Sequence, residues 1–133
     1  VYGSEKDAAL AASASKNLWG VFCHDCKITD YVDGIDSFSV GSFSFGVMKT
    51  PGHTPGGVCY FIDDIMFSGD TLFKECIGRI DLPGGDYREM MDSLSKIALI
   101  DKNYKVYAGH EENTDLFHEF RFNPYLSAFK RSK

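Results

Sequence analysis

An alternation of apolar and small residues over residues 43–47 is the first clear pattern along the chain. Alternation with a period of two predicts a β-strand, which should end by Thr50 because Pro51 disfavours pairing with a neighbouring strand. Two further apolar runs, Val58–Ile62 and residues 65–67, are separated by two aspartates. Because Asp tolerates the positive φ of a tight turn, these two runs predict a β-hairpin.

The strongest helix pattern begins at Asp86, which Glu89 follows three residues later, as in a capping box. Apolar residues then recur at helical spacing and form a single stripe, which consists of Tyr87, Met90, Met91, Leu94, Ile97 and Ala98. An Ala-rich segment at residues 7–15 predicts a second, shorter helix near the start of the chain.

A last helix is predicted over residues 114–122, because Pro124 disfavours helical backbone in the residue that precedes it. Three apolar side chains of this helix should face the core: Leu116, Phe117 and Phe120. His118 should then lie on the exposed face of the helix.

The remaining segments complete an order of antiparallel strands, a helix, a strand and a helix. A short strand is predicted at residues 106–108, and residues 17–36 and 71–85 are predicted to be loops. This order predicts one α/β domain over residues 1–133, with a mixed, largely antiparallel sheet that carries helices on one face.

Composition excludes several classes of partner. The chain has 133 residues, enough for one core, and its net charge of −5 leaves no basic surface for nucleic acid. No apolar run approaches the roughly 18 residues of a membrane span, and no signal peptide opens the chain, so a cytoplasmic protein is predicted. The first residue is Val1 rather than Met, which suggests a chain cut from a longer one.

The four cysteines predict free thiols in a reducing compartment. Cys59 lies in an apolar run and should be a small buried hydrophobe. The Cys23-x-x-Cys26 spacing is also found in redox pairs and in halves of zinc knuckles. A zinc knuckle needs a second pair of cysteines, and a thioredoxin-like redox site needs a βαβ setting. Neither is evident in the sequence, so Cys23 and Cys26 are interpreted as having no chemical role.

Three candidate metal ligands each follow a predicted strand: His53, Asp70 and His110. Loops at strand ends are where sites usually form, imidazole binds zinc, iron and copper, and a carboxylate can bridge two cations. Each of the three residues also fits an ordinary turn, so the residue types alone leave both interpretations open.

Five segments together resemble one known family. Residues 50–57 (TPGHTPGG), 67–73 (FSGDTLF), 77–86 (IGRIDLPGGD), 106–110 (VYAGH) and 121–126 (RFNPYL) occur in the order and spacing of metallo-β-lactamase-fold hydrolases. The third segment is similar to the short, single-domain glyoxalase II-like branch, the hydroxyacylglutathione hydrolase-like proteins. The resemblance implies the C-terminal portion of a metallo-β-lactamase-like αββα sandwich.

The same resemblance implies a ligand set and a reaction. His53 would bind a first metal ion, Asp70 would bridge two ions and act in catalysis, and His110 would bind the second ion. Up to two zinc ions are expected, with iron or manganese as alternatives. The substrate would be a small thioester or a related ester, which a metal-bound hydroxide would hydrolyse.

One family motif is missing from this sequence. The HxHxDH motif, which supplies three His and one Asp, does not occur, and the string at residues 23–26 (CHDC) has the wrong place and spacing. The chain alone is therefore expected to be incomplete, and weakly active or inactive. The domain that binds glutathione in full-size glyoxalase II is also absent, so glutathione specificity has no support.

Two other functions stay open. One is an iron-dependent persulfide dioxygenase-like protein with a single iron held by two His and one carboxylate. The other is a truncated, non-catalytic binding domain. Because half of a sandwich would leave an apolar sheet face in water, self-association or pairing with a missing N-terminal segment is expected.

Overall fold

A six-stranded sheet is the central element of the computed structural model, which describes residues 1–16 and 23–131. In chain order the strands are β1 (Tyr2–Gly3), β2 (Asp30–Tyr31), β3 (Ser37–Val40), β4 (Phe43–Lys49), β5 (Val58–Ile62), β6 (Ile65–Gly69), β7 (Leu72–Phe73), β8 (Cys76–Ile77), β9 (Lys105–Ala108) and β10 (Thr114–Asp115). The helices are α1 (Ala8–Ala12), α2 (Tyr87–Ala98), α3 (Leu116–Phe122) and α4 (Pro124–Arg131), and single 3-10 turns flank α1 at Glu5–Asp7 and Ala14–Lys16.

The sheet has the spatial order β10-β9-β6-β5-β4-β3. Every neighbouring pair is antiparallel except β6 and β9, which are parallel and are joined through α2. A parallel pair requires such a crossover, which a helix usually supplies. The mixed, largely antiparallel sheet predicted from the sequence is thus confirmed.

Helix α2 covers one face of the sheet. Asp86 caps its first turn, since an Oδ1 atom of Asp86 accepts a hydrogen bond of 2.8 Å from the backbone N–H of Glu89. The core joins helix residues to the inward positions of β5, β6 and β9, and includes Met90, Leu94, Ile97, Cys59, Met66 and Val106. Tyr87 is 62% exposed, so the buried stripe begins one turn later than predicted.

The C-terminal segment holds one helix more than the sequence predicted. Helix α3 ends before Asn123, whose backbone is extended (φ −75°, ψ 116°), as the residue before a proline should be. Pro124 then begins α4, because a proline suits the first position of a helix, where no N–H donor is needed. The predicted stop was correct, but it separates two helices and does not end the helical structure.

The predicted burial pattern of α3 was wrong in two places. Leu116 is fully buried, but Phe117 is 46% exposed and Glu119 is fully buried. His118 is half-buried, and its Nε2 atom lies 2.8 Å from a carboxylate oxygen of Glu75. The pattern of apolar residues predicted the wrong buried side chains for this helix, because a carboxylate with enough hydrogen-bond donors can occupy a core position.

Short strands lie inside both predicted loops. In residues 71–85, β7 and β8 form a hairpin, and Leu72 is fully buried. In residues 17–36, β2 pairs with β1 and Val32 is fully buried, while residues 17–22 lie outside the described part of the chain. Strands of two residues show no measurable periodicity, so the sequence could not reveal them.

The second face of the sheet has no helix layer among the described residues. Tyr2 stacks on Phe38 at a centroid distance of 4.3 Å and covers one end of this face. Phe67 and Tyr107, which are neighbours in register on β6 and β9, remain 40% and 37% exposed. In the ranges the structure describes, no helix has the length and apolar character to cross a membrane.

Candidate functional site

His53, Asp70 and His110 lie together at one edge of the sheet. Strands β4, β6 and β9 precede them and all run in the same direction, because β4 and β6 are each antiparallel to β5 and β9 is parallel to β6. Their C-terminal ends therefore meet at one edge. The His53 Nε2 atom lies 3.4 Å from Asp70 Oδ2, and the His110 Nε2 atom lies 3.5 Å from Asp70 Oδ1.

The carboxylate of Asp70 thus faces one imidazole with each of its two oxygens. Two ligand atoms that each lie about 2.1 Å from a tetrahedral zinc ion are about 3.4 Å apart. Each histidine–carboxylate pair has this separation. The two pairs therefore have the spacing of neighbouring zinc ligands, and they share the carboxylate of Asp70.

Each pair by itself is only part of a coordination shell. Within residues 1–16 and 23–131, no group of three or more His, Cys, Asp or Glu side chains is arranged to hold one metal ion. Structural and catalytic zinc sites usually have three or four protein ligands. The described residues thus provide one imidazole nitrogen and one carboxylate oxygen in each pair.

A backbone carbonyl fixes the orientation of His53. Its Nδ1 atom lies 2.7 Å from the carbonyl oxygen of Arg79, which can only accept, so Nδ1 carries the proton and donates it. In the neutral imidazole, the Nε2 atom, which faces Asp70, is then the unprotonated nitrogen. Hydrogen bonds of this kind set the tautomer of histidines that bind metals.

Close backbone packing places His53 and requires glycine before it. Gly52 has a φ of +142°, and a Cβ atom there would lie 2.5 Å from the Cα atom of Met90 in the first turn of α2. The carbonyl of Gly52 also accepts a hydrogen bond of 2.8 Å from the backbone N–H of Asp86. The turn that carries His53 is therefore held directly against the start of α2.

His110 is the more open of the two histidines, with a side chain that is 61% exposed. Its ring lies 4.5 Å from the ring of Phe73, and its Nδ1 atom lies 3.4 Å from a carboxylate oxygen of Glu111. Gly109 precedes it, and a Cβ atom there would lie 2.6 Å from an oxygen of Asp70. The absence of a side chain at Gly109 is what lets His110 approach the carboxylate.

Two clefts border the site. One, of about 640 Å³, is lined by both histidines and by the charged side chains of Lys74, Arg79 and Glu112. The other, of about 500 Å³, reaches His53 and Asp70 from the side of β1 and α1. Both volumes are in the range of small-molecule sites, which is about 300–1,000 Å³.

Several residues of the site were not predicted from the sequence. Phe73 and Cys76 line the larger cleft, and the carbonyl of Arg79 orients His53. A backbone carbonyl leaves no signal in the residue types, and β7 and β8 are too short for a pattern.

The cysteines are all free in the described part of the chain. Cys59 is fully buried beside the hydroxyl of Thr50, and burial raises the pKa of its thiol to about 11. It is the small buried hydrophobe that was predicted. Cys23 and Cys26 are exposed and are not bonded to each other, and a chemical role for them stays an untested alternative.

This architecture is an α/β sheet with two histidines around one carboxylate at its edge. The family model of the metallo-beta-lactamase superfamily matches residues 20–110, and the chain belongs to this superfamily. The fold class predicted from the sequence is thereby confirmed.

Curated relatives with similar sequences carry hydrolase names. The chain is 35% identical over 136 residues to a probable metallo-hydrolase of Streptococcus pyogenes, and the match covers 95% of this chain and 59% of the relative. It is 36% identical to the probable metallo-hydrolase YqgX of Bacillus subtilis (97% and 64% covered). A hydroxyacylglutathione hydrolase of Psychromonas ingrahamii is 34% identical over 108 residues (81% and 40% covered). The chain thus spans less than two thirds of each.

Solved structures are similar over most of the chain. The BLEG-1 B3 metallo-beta-lactamase matches with a TM-score of 0.86 at 32% identity, over 96% of this chain and 65% of its own. TTHA1623 in a di-iron-bound form matches with a TM-score of 0.81 at 30% identity, over 95% and 64%. ETHE1 from Myxococcus xanthus matches with a TM-score of 0.65 at 31% identity, over 84% and 50%.

Proposed function

We propose that this chain carries the C-terminal ligands of a two-metal hydrolase site, with His53 on the first ion, Asp70 between the ions and His110 on the second. The observation that carries the proposal is the pair of contacts of 3.4 and 3.5 Å from the two oxygens of Asp70 to the two imidazoles. The names of the curated relatives support a metallo-hydrolase.

Different residues of the chain would have different roles at this site. A bound zinc ion lowers the pKa of water and polarises a carbonyl group. Asp70 would hold two cations with one carboxylate, and the proton on His53 Nδ1, donated to the Arg79 carbonyl, would keep Nε2 available as a ligand. The cleft of about 640 Å³ beside both histidines would admit the substrate. Zinc is the proposed metal, with iron or manganese as alternatives.

For the substrate we propose a small thioester or a related ester. Hydrolysis would consume one water and release an acid and a thiol or alcohol. The hydroxyacylglutathione hydrolase of Psychromonas ingrahamii, at 34% identity, supports this class. Because the described residues supply two ligand atoms to each ion, we propose that the chain alone is weakly active or inactive.

An iron-dependent dioxygenase-like protein is the second candidate function. The similarity to ETHE1 supports it, since imidazole and carboxylate also suit iron. Metal analysis of protein purified without added metal, by plasma mass spectrometry, separates the two. Because iron is also an alternative metal for the hydrolase, iron in place of zinc would favour the second candidate only together with oxygen consumption on a persulfide.

Calorimetric zinc titration tests the ligand assignment. We expect that His53→Ala, Asp70→Asn and His110→Ala each weaken binding about 10-fold or more. Asp92→Asn and Asp101→Asn are the controls, because both replace an exposed carboxylate away from the three residues, and both variants should bind zinc as the unchanged chain does. If the three variants bind zinc as tightly as the two controls do, the assignment is wrong.

A further inference from the structure

Glu119 is a buried carboxylate that the proposed ligand set does not use. Its side chain is fully buried in α3 and accepts three hydrogen bonds, from the hydroxyl of Thr114 (2.7 Å), the backbone N–H of Glu75 (2.8 Å) and the amide of Asn123 (2.8 Å). A carboxylate in a core is tolerated only when donors of this kind satisfy it. Its partners therefore explain why a charged residue occupies a core position.

Asn123 is also fully buried and extends the same network. Its amide nitrogen donates to the backbone carbonyls of Cys76 (3.0 Å) and Phe73 (3.4 Å) as well as to Glu119. Together, the Glu119–Asn123 pair contacts three backbone atoms of the β7–β8 hairpin, which spans residues 72–77. The hairpin is thus attached to the helix layer by buried polar contacts.

The same hairpin adjoins both candidate histidine ligands. The ring of Phe73, at the end of β7, lies 4.5 Å from the ring of His110. After β8 the chain passes Gly78, where a Cβ atom would lie 3.3 Å from the Cβ atom of His53, and reaches the carbonyl of Arg79 that accepts from His53. A shift of the hairpin would therefore move the supports of both imidazoles.

We propose that Glu119 and Asn123 are positioning residues for the candidate metal centre, which they serve by fixing the β7–β8 hairpin against the two histidines. The effect on metal affinity rests on the proposed function, whereas the effect on the hairpin and on His110 does not. Side chains that orient metal ligands without touching the metal typically change affinity about 10- to 100-fold when they are replaced.

Two isosteric substitutions separate positioning from simple loss of stability. Asn123→Asp places an acceptor where the amide donates, so it faces two carbonyls and the carboxylate of Glu119 and should release the hairpin. Glu119→Gln can keep all three contacts, since its oxygen accepts from Glu75 and Asn123 while its amide donates to the hydroxyl of Thr114. Leu94→Ala, in the core of α2, is the control for lost stability.

Zinc titration of the whole chain gives the first readout. Asn123→Asp should weaken zinc binding about 10-fold or more. The zinc affinity of Glu119→Gln should stay within about 3-fold of that of the unchanged chain. Leu94→Ala should bind zinc normally below its unfolding transition. Normal binding by Asn123→Asp, or equal weakening by Leu94→Ala, would overturn the proposal. If Asn123→Asp does not fold, Asn123→Ala removes the amide donors without adding a charge and is judged by the same criteria.

A second readout needs no metal. In the metal-free chain, the ring current of Phe73 should shift the ring protons of His110, and a Phe73→Leu variant gives their unshifted position in NMR spectra. Asn123→Asp should move these signals towards those of Phe73→Leu and speed amide exchange at Glu75. Unchanged shifts and exchange would reject the positioning role. If the unchanged chain binds no zinc, the described residues do not hold a metal ion by themselves, and this readout alone decides the inference.

Discussion

Gly52 is the position where the fold and the candidate site depend on the same backbone conformation. A Gly52→Ala substitution would place a Cβ atom 2.5 Å from the Cα and 2.6 Å from the Cβ of Met90, in a residue whose φ is +142°. The strained backbone costs about 1–3 kcal/mol, and forcing α2 away costs about 1–3 kcal/mol more. The expected loss of about 2–6 kcal/mol is large against a typical total stability of about 5–15 kcal/mol.

Gly46→Ala is the matched control for this substitution. Gly46 lies within β4, and a Cβ atom there would lie 3.6 Å from the Cβ of Phe61, an ordinary van der Waals contact. We expect its free energy of unfolding to stay within about 1 kcal/mol of the unchanged chain. Urea denaturation followed by far-UV circular dichroism measures both variants. Equal midpoints for Gly52→Ala and Gly46→Ala would refute the reasoning about the turn that carries His53.

Three further predictions follow from separate features of the structure. Asp86→Ala should lower the free energy of unfolding by about 1 kcal/mol through the lost helix cap, whereas Asp92→Ala, on the same helix, should cost less; denaturation midpoints measure both. Burial raises the pKa of Cys59 to about 11 from 9.0, so the neutral thiol stabilises the fold below pH 9 and this contribution should be lost as the pH rises towards 11. A Cys59→Ala variant should lose less stability over that interval in thermal melts, and an equal loss would contradict the assignment. The exposed sheet face should make the chain associate with a second copy of itself, and Phe67→Ser should shift sedimentation towards the monomer; a monomer at all concentrations in the unchanged chain would contradict this.

The longest regular elements could be predicted because each leaves a local pattern in the sequence. Strand β4 and helix α2 show a clear period, strands β5 and β6 are apolar runs separated by two aspartates, and the structure confirms all four. Strand β3 spans only Ser37–Val40. An alternation of four residues next to a long loop was too short to distinguish the strand from the loop. Helix α4 was missed because Pro124 was taken as the end of helical structure, whereas the extended backbone at Asn123 allows a new helix to begin.

The closeness of the three candidate ligands could be predicted from the sequence, whereas the contacts that support them could not. His53, Asp70 and His110 each follow a strand whose pattern the sequence shows. The contacts of Glu119 could not be predicted, because one of its donors is a backbone N–H that lies 44 positions away in sequence. Buried polar networks of this kind depend on tertiary contacts that residue types do not encode locally.

Strand direction explains why three residues so far apart in sequence form one site. Although β4, β5 and β6 pair antiparallel, β4 and β6 run the same way, and the crossover through α2 gives β9 that direction too. Each ligand follows its strand by no more than four residues, so little free loop separates it from the rigid sheet. The central carboxylate of Asp70 has an imidazole beside each oxygen. If the proposed two-cation site is correct, the described residues give each cation one imidazole nitrogen and one carboxylate oxygen, which is fewer than the three or four protein ligands of ordinary zinc sites.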